Sequence, residues 1–281
     1  MALPFEGRYA GFSVELRDEG ILLITLDRPE QLNSFTAAMK RDLMEALFAI
    51  QVAPESRVVI FTGAGRGFCA GDDLATYFDA HPEQARTAPL GERRGDAVGL
   101  YGRLRLLSQQ LNATVRNLDL ITIAAINGAC IQSGLSLALC CDFRIVAADA
   151  KLGSATLRFG YQPDENGHFL LVQHIGVAKT LDFLLRKRIV SGSEALSLGL
   201  VHEATPQADL LPRALALAGE LAQGPQTAMR LLKRAIYNAA EMSFAQAADD
   251  IASKTAISDH HPDTKEGVAA FRERRSPRFN G

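Results

Sequence analysis

Two adjacent carboxyls, Asp164 and Glu165, stand in the run FGYQPDENG, where proline, asparagine and glycine predict a turn ahead of a helix. A carboxyl pair there can move protons if its pKa suits the step, or it can serve as a helix cap or turn. A second concentration of chemistry is the run TGAGRGFCAGDDL. Its glycines at 63, 65, 67 and 71 let a tightly curved backbone approach another segment or a ligand, and Asp72 and Asp73 follow at once. In a third run, GACIQSGLS, the pattern predicts a helix from Ser133, whose first turn carries unpaired amides and positive potential.

The remaining reactive residues are dispersed. His168 and His174 lack metal-ligand spacing, and His260 and His261 adjoin Pro262 and Asp263 with no further ligand nearby in sequence, so no metal site is expected. Cys69, Cys130, Cys140 and Cys141 lie in small or apolar contexts without paired CxxC spacing, which favours a reduced, cytoplasmic protein. Arg272, Arg274, Arg275 and Arg278 gather near the C-terminus, where guanidinium groups suit phosphate or simply a solvated tail.

These residues need elements to position them. Phe12 to Leu16 and Ile21 to Leu26 read as an antiparallel pair, and Thr36 can cap a helix that buries Met39, Leu43, Leu47 and Ile50. Arg57 to Thr62, ITIAAINGA and Phe143 to Ala147 read as buried strands, separated by a long helix over Leu100 to Leu118 and a shorter one from Ser133 to Cys141. Residues 76–99 read as a loop or short lid. Beyond about residue 170 the pattern turns helical, over 170–176, 178–186, 193–198, 208–222, 225–240, 243–258 and 264–273. Strands alternating with helices favour an α/β or mixed spiral architecture.

The chain has 281 residues, 47% of them hydrophobic, and balances 30 basic against 32 acidic side chains. That composition supports a packed core and argues against a globally basic nucleic-acid binder or a disordered chain. The opening residues lack the features of a secretory signal, and no apolar run approaches membrane-spanning length.

Four ordered motifs, LDRPEQLNS at 26–34, FCAGDDL at 68–74, INGACIQSGLSLALCCD at 126–142 and KEGVAAFRERRSPRF at 265–279, resemble the crotonase superfamily, the enoyl-coenzyme A hydratase/isomerase family. The resemblance implies an α/β fold with a spiral core of repeated beta-beta-alpha units over 1–200. It implies a helical trimerisation region over 201–281, in a homotrimer or dimer of trimers. It also implies a coenzyme A thioester as substrate, with coenzyme A entering as part of the substrate and no prosthetic group.

By the same resemblance, the backbone N–H groups of Asp72 and Ser133 form an oxyanion hole for the thioester oxygen. Asp72 then needs its side chain turned away or neutralised, and Asp73 should fix the loop by local hydrogen bonds. Arg28, Gln31, Leu32, Ala70, Arg274 and Arg275 fall at coenzyme-binding positions, while Tyr77, Phe78, Tyr101 and His168 are acyl-pocket candidates. The two glutamates of a hydratase are replaced by Ser136 and Thr156, neither a comparable proton acceptor. Asp164 matches the position of a catalytic acid in isomerase-type relatives, with Glu165 able to share or tune its proton.

The expected activity is therefore enoyl-CoA isomerisation through Asp164. Atypical hydration, acyl-CoA hydrolysis and dehalogenation are the enzymatic alternatives, and a noncatalytic acyl-CoA-binding oligomer is the alternative of another class.

Overall fold

The structure, a computed structural model, describes residues 5–73 and 97–281. Its first sheet, of seven strands among the described residues, begins with β1 (Gly7–Tyr9), β2 (Phe12–Arg17) and β3 (Ile21–Leu26), paired antiparallel in that order. It continues in parallel through β4 (Val58–Gly63), β6 (Ile121–Ile126), β8 (Phe143–Ala147) and β11 (Glu203–Thr205). The central strands read VVIFTG, ITIAAI and FRIVA because both faces are covered, and every residue of β6 is buried.

A smaller sheet takes one short strand from each turn of the chain: β5 (Gly67–Cys69), β7 (Ala129–Ile131) and β9 (Lys151–Gly153) run parallel, with β10 (Ile189–Ser191) antiparallel at the edge. The chain thus repeats a strand in the large sheet, a strand in the small sheet and a helix. β6 and β7 lead to α4 (Ser133–Cys140), and β8 and β9 lead to α5 (Gly167–Leu185). The expected beta-beta-alpha repeats are present.

Thr36 caps α1 (Ala37–Val52) by accepting from Met39 N at 3.1 Å, and Met39, Leu43, Leu47 and Ile50 are buried beneath it. The helix expected over 100–118 begins earlier: α2 (Ala97–Arg103) passes through a π-helical stretch, Leu104–Ser108, into α3 (Gln109–Arg116). The two helices expected over 170–176 and 178–186 make up α5, which breaks where Gly176 leaves helical geometry at φ 75° and ψ 167°. Gly176 sets the break, since only glycine adopts that conformation without penalty.

Further helices are α6 (Gly192–Leu198), α7 (Leu210–Ala222), α8 (Gln226–Ala239), α9 (Phe244–Asp259) and α10 (Pro262–Glu273). The buried face of α7, Ala214, Ala218 and Ala222, packs closely on β4 and β6, so this helix covers the large sheet. α8 is fastened at Asp142, just after α4: Lys233 Nζ lies 2.7 Å from Asp142 Oδ2, and Tyr237 Oη donates to Oδ1 at 2.8 Å. Thr122 N donates to the same Oδ2 at 2.8 Å, so one carboxylate joins β6, α4 and α8. Among the described residues no helix is long and apolar enough to cross a membrane.

Candidate active site

Close backbone approach creates the site. A Cβ added at Gly134, in the first turn of α4, would stand 2.2 Å from the carbonyl oxygen of Cys69, so α4 can lie against the end of β5 only because this residue has no side chain. Past β5, Ala70 N donates to Leu32 O at 2.9 Å, Phe35 N to Gly71 O at 2.8 Å and Asp73 N to Phe35 O at 2.9 Å. These bonds hold the loop beside α4. At Gly71, where φ is 107°, an added Cβ would lie 3.9 Å from Ser133 N. Ser133 opens α4, where an amide has no carbonyl one turn back to bond.

A cavity of about 70 Å³ lies between these segments. Its wall unites Asp72, Ser133, Thr156, Asp164 and Glu165, residues separated by up to 93 positions in sequence. Phe159 and Tyr161, with ring centroids 6.3 Å apart, form an aromatic part of that wall. Sequence reasoning missed both; the only available signal was their closeness to the acidic pair. Among the described residues, that wall does not include Tyr101, which is exposed on α2, or His168 on α5. Tyr77 and Phe78 lie outside the described residues. Ser136 is buried next to Gly167, whereas Thr156 reaches the cavity and stands 3.3 Å from Ser154 Oγ.

The charge on Asp72 is met from α1. Lys40, only 3% exposed, puts Nζ 2.7 Å from Asp72 Oδ1 and donates to Ser108 Oγ at 2.7 Å. Burial opposes the ammonium charge of Lys40, but Asp72 and Glu165 outweigh it and its pKa is raised. Asp73 is held by Arg28, whose Nη2 donates to Oδ2 at 2.8 Å while Nη1 donates to Ser34 O at 2.5 Å. Asp72 thus has a cation against its charge, and Asp73 is held by an arginine 45 residues away where local hydrogen bonds were expected. Lys40 itself was missed, because a lysine in a helical heptad reads as a surface residue.

Glu165 is the more deeply buried member of the acidic pair. Its Oε1 is hydrogen-bonded to Ser133 Oγ, and its Oε2 accepts from Gln132 Nε2 at 3.2 Å. Ser133 Oγ also stands 2.8 Å from Asp72 Oδ1. Burial, then the charges of Asp72 and Asp164, pushes the Glu165 carboxyl up to about 8. Asp164 is half-buried, and burial raises its pKa too.

Asp164 does not cap α5. Asn166, at φ 62°, takes that position, and the backbone carbonyls of Asp164 and Glu165 accept from Gln109 Nε2 at 3.0 Å and Asn112 Nδ2 at 2.8 Å on α3. Both carboxyl-bearing residues are thereby anchored by their main chain.

The coenzyme-binding candidates are more scattered. Leu32 and Ala70 meet through a backbone bond, and Gln31 is exposed beside them. Arg28 spends its guanidinium on Asp73 and Ser34. Arg275 is paired with Glu266 at 2.6 Å and Glu273 at 2.6 Å, and Arg274 is exposed in a left-handed turn at the end of α10. A groove of about 520 Å³ adjoins Leu32 and carries two cations that were not singled out from sequence, Arg66 and Lys151. Among the described residues no cluster of three or more histidine, cysteine or acidic side chains could hold a metal.

Comparison with known proteins gives this geometry its context. The family model described as enoyl-CoA hydratase/isomerase matches residues 17–281. The chain is 33% identical over 264 residues to a probable enoyl-CoA hydratase of Rhodobacter capsulatus, spanning 94% of this chain and 95% of that protein. It is 32% identical over 268 residues to the 1,2-epoxyphenylacetyl-CoA isomerase of Escherichia coli, spanning 94% of this chain and 96% of the other. The crystal structure of an enoyl-CoA hydratase from Bacillus anthracis matches with a TM-score of 0.86 at 31% identity, over 97% of this chain and 100% of that one.

Proposed function

The chain belongs to the enoyl-CoA hydratase/isomerase family of the crotonase superfamily, and from that membership we propose that it moves a double bond in an unsaturated acyl-CoA by proton transfer. The observation that carries this reading is one cavity wall that brings Asp72, Ser133 and Asp164 together.

In the proposed reaction the thioester oxygen sits between the N–H groups of Asp72 and Ser133. Asp164 removes a proton from the carbon next to the thioester or double bond, and negative charge develops on the oxygen. Fixed backbone donors stabilise that charge without having to reorganise, and one such donor is worth about 3–4 kcal/mol in a transition state. A proton delivered to a different carbon completes the shift.

Water addition is less well supported, because Ser136 and Thr156 offer hydroxyls in place of carboxylates. The coenzyme would run from the cavity past Ala70 and Leu32 into the groove of Arg66 and Lys151, whose cations suit its phosphates. Exposed Phe244 on α9 and Phe271 on α10 support a homotrimer or a dimer of trimers.

The deciding experiment incubates the purified protein with a panel of unsaturated acyl-CoAs in deuterated water. Double-bond migration with deuterium incorporation is expected. Hydrated, hydrolysed or dehalogenated products without migration would overturn the isomerase reading, and binding without turnover would favour a noncatalytic protein.

A further inference from the structure

Ser133 carries one hydroxyl proton yet stands within hydrogen-bond distance of two carboxyl groups, Asp72 Oδ1 and Glu165 Oε1. If both were ionised, one contact would set two lone pairs against each other. Two arrangements satisfy both, one with Glu165 protonated and donating to Ser133 Oγ while Ser133 donates to Asp72, and one with the roles of the two carboxyls exchanged; the ammonium on Asp72 selects the first. Lys40, buried and bound to Asp72 and Ser108, fixes which of the two carboxyls carries the charge.

The far side of Glu165 fits the same polarity. Ser154 Oγ donates to Gln132 Oε1 at 2.5 Å, which turns the amide of Gln132 so that its Nε2 faces Glu165 Oε2 at 3.2 Å. Oε2 is therefore the carbonyl oxygen of the acid and Oε1 its hydroxyl. Gln132 does this from φ 49° and ψ −107°, a conformation that a non-glycine residue holds only when its surroundings over-determine it. The hydrogen bonds run in one direction, from Ser154 through Gln132, Glu165 and Ser133 to Asp72.

We infer that Lys40, Asp72, Ser133 and Gln132 are positioning residues that hold Glu165 as the proton-donating partner of Asp164. This deepens the isomerase reading and rests on it for the identity of the reaction. In that reaction Asp164 takes the proton from one carbon, and Glu165, its hydroxyl swinging from Ser133 Oγ to the substrate, gives its own to the other as the double bond moves. Asp164 is then protonated and Glu165 ionised, and a proton passing between these neighbours restores both without a co-reactant. Acid and base roles require opposite protonation states of the two carboxyls, and Glu165, the more deeply buried, is the one that keeps its proton.

The titratable groups that face Glu165 come from several elements. Asp72 follows β5, Lys40 is on α1, Asp164 is its chain neighbour, and the Cys69 thiol at the end of β5 also feels its charge. Asn112 and Gln109 on α3 contribute only neutral amides to the backbone of the pair. Asp72 and Asp164 favour the protonated form of Glu165, whereas the charge of Lys40 acts against it.

The test is a pH titration of the full-length protein by infrared difference spectroscopy, following the carboxylic-acid C=O band that disappears in Glu165→Gln. The band is expected in the wild type at pH 7. Asp72→Asn and Ser133→Ala should both move its midpoint down, the first by removing a negative neighbour and the second by removing the acceptor of the Glu165 proton, each unit changing the acid-to-carboxylate ratio about tenfold. Ser133→Ala leaves the Lys40–Asp72 ion pair intact, which keeps the test decisive if Asp72→Asn fails to fold. No band at pH 7, or midpoints that ignore Ser133→Ala, would overturn the inference. The band does not depend on turnover. Absence of the band alongside Asp164-dependent double-bond migration therefore defeats the relay alone, and the band without migration defeats the isomerase reading alone.

Discussion

Lys40 Nζ lies 2.7 Å from Asp72 Oδ1, and the ammonium is almost wholly buried beneath the loop that forms one wall of the cavity. This pair places a negative charge next to the proposed oxyanion site and cancels it from below. Removing one partner of a buried ion pair typically costs about 3–5 kcal/mol, because the other charge is stranded. Lys40→Met should lower the unfolding free energy by that order in urea titrations, and adding Asp72→Asn to it should recover part of the loss. Equal stability of Lys40→Met and the wild type would show that the pair is not energetically coupled to the fold.

Asp164→Asn should abolish most double-bond migration and deuterium exchange while leaving acyl-CoA binding and unfolding midpoint close to wild type. Loss of a positioned base typically lowers rate by about 10² to 10⁴. Steady-state kinetics and calorimetric binding on the same preparation check it, and unchanged exchange would remove Asp164 from the mechanism.

Glu165 makes stability depend on pH. The folded protein keeps its proton up to about 8, whereas the ordinary value is 4.5, so between these limits the native state binds more protons than the unfolded chain. Its contribution is complete below the unfolded value and is lost as pH rises through the folded one, amounting to a few kcal/mol in order of magnitude. Denaturation followed from pH 5 to pH 9 should show stability falling, and the slope should flatten in Glu165→Gln.

Gly134→Ala tests the close approach of α4 to β5. The new methyl would meet Cys69 O at 2.2 Å and Cys69 Cβ at 2.8 Å, so helix and loop must separate. Overpacking of this kind costs about 1–3 kcal/mol. If the Ser133 amide is displaced from the oxyanion, kcat should fall about 10² to 10³-fold. Thermal unfolding and kcat on a single acyl-CoA read the two effects separately.

Phe244→Asp and Phe271→Asp should shift the assembly towards monomer in sedimentation experiments, since both side chains are exposed on α9 and α10. An unchanged sedimentation coefficient in both variants would exclude these faces from the subunit contact.

What the sequence made legible was whatever depends on near neighbours. Thr36 and the four-residue spacing of Met39, Leu43 and Leu47 announce α1, and ITIAAI announces a strand buried on both faces. The Asp164–Glu165 pair was visible as chemistry because Asp164 falls where isomerase-type relatives carry a catalytic acid. Lys40 was not, since its meaning depends on Asp72, 32 residues later, and on Ser108, 68 residues later. Local pattern also located the break in α5 at Gly176, where the backbone leaves helical geometry at φ 75° and ψ 167°. Arg28 and Arg275 read as free cations for a phosphate, whereas folding brings carboxylates to both.

The anchoring of Asp142 bears on how assembly and chemistry are joined. α4 is a rod of eight residues, about 12 Å long. Its far end is pinned by Lys233 and Tyr237 of α8, and its near end begins with Ser133 in the cavity wall. A displacement of α8 is therefore delivered along the rod to the serine amide. A load on the C-terminal helices thus reaches the cavity wall through a single carboxylate and one short helix.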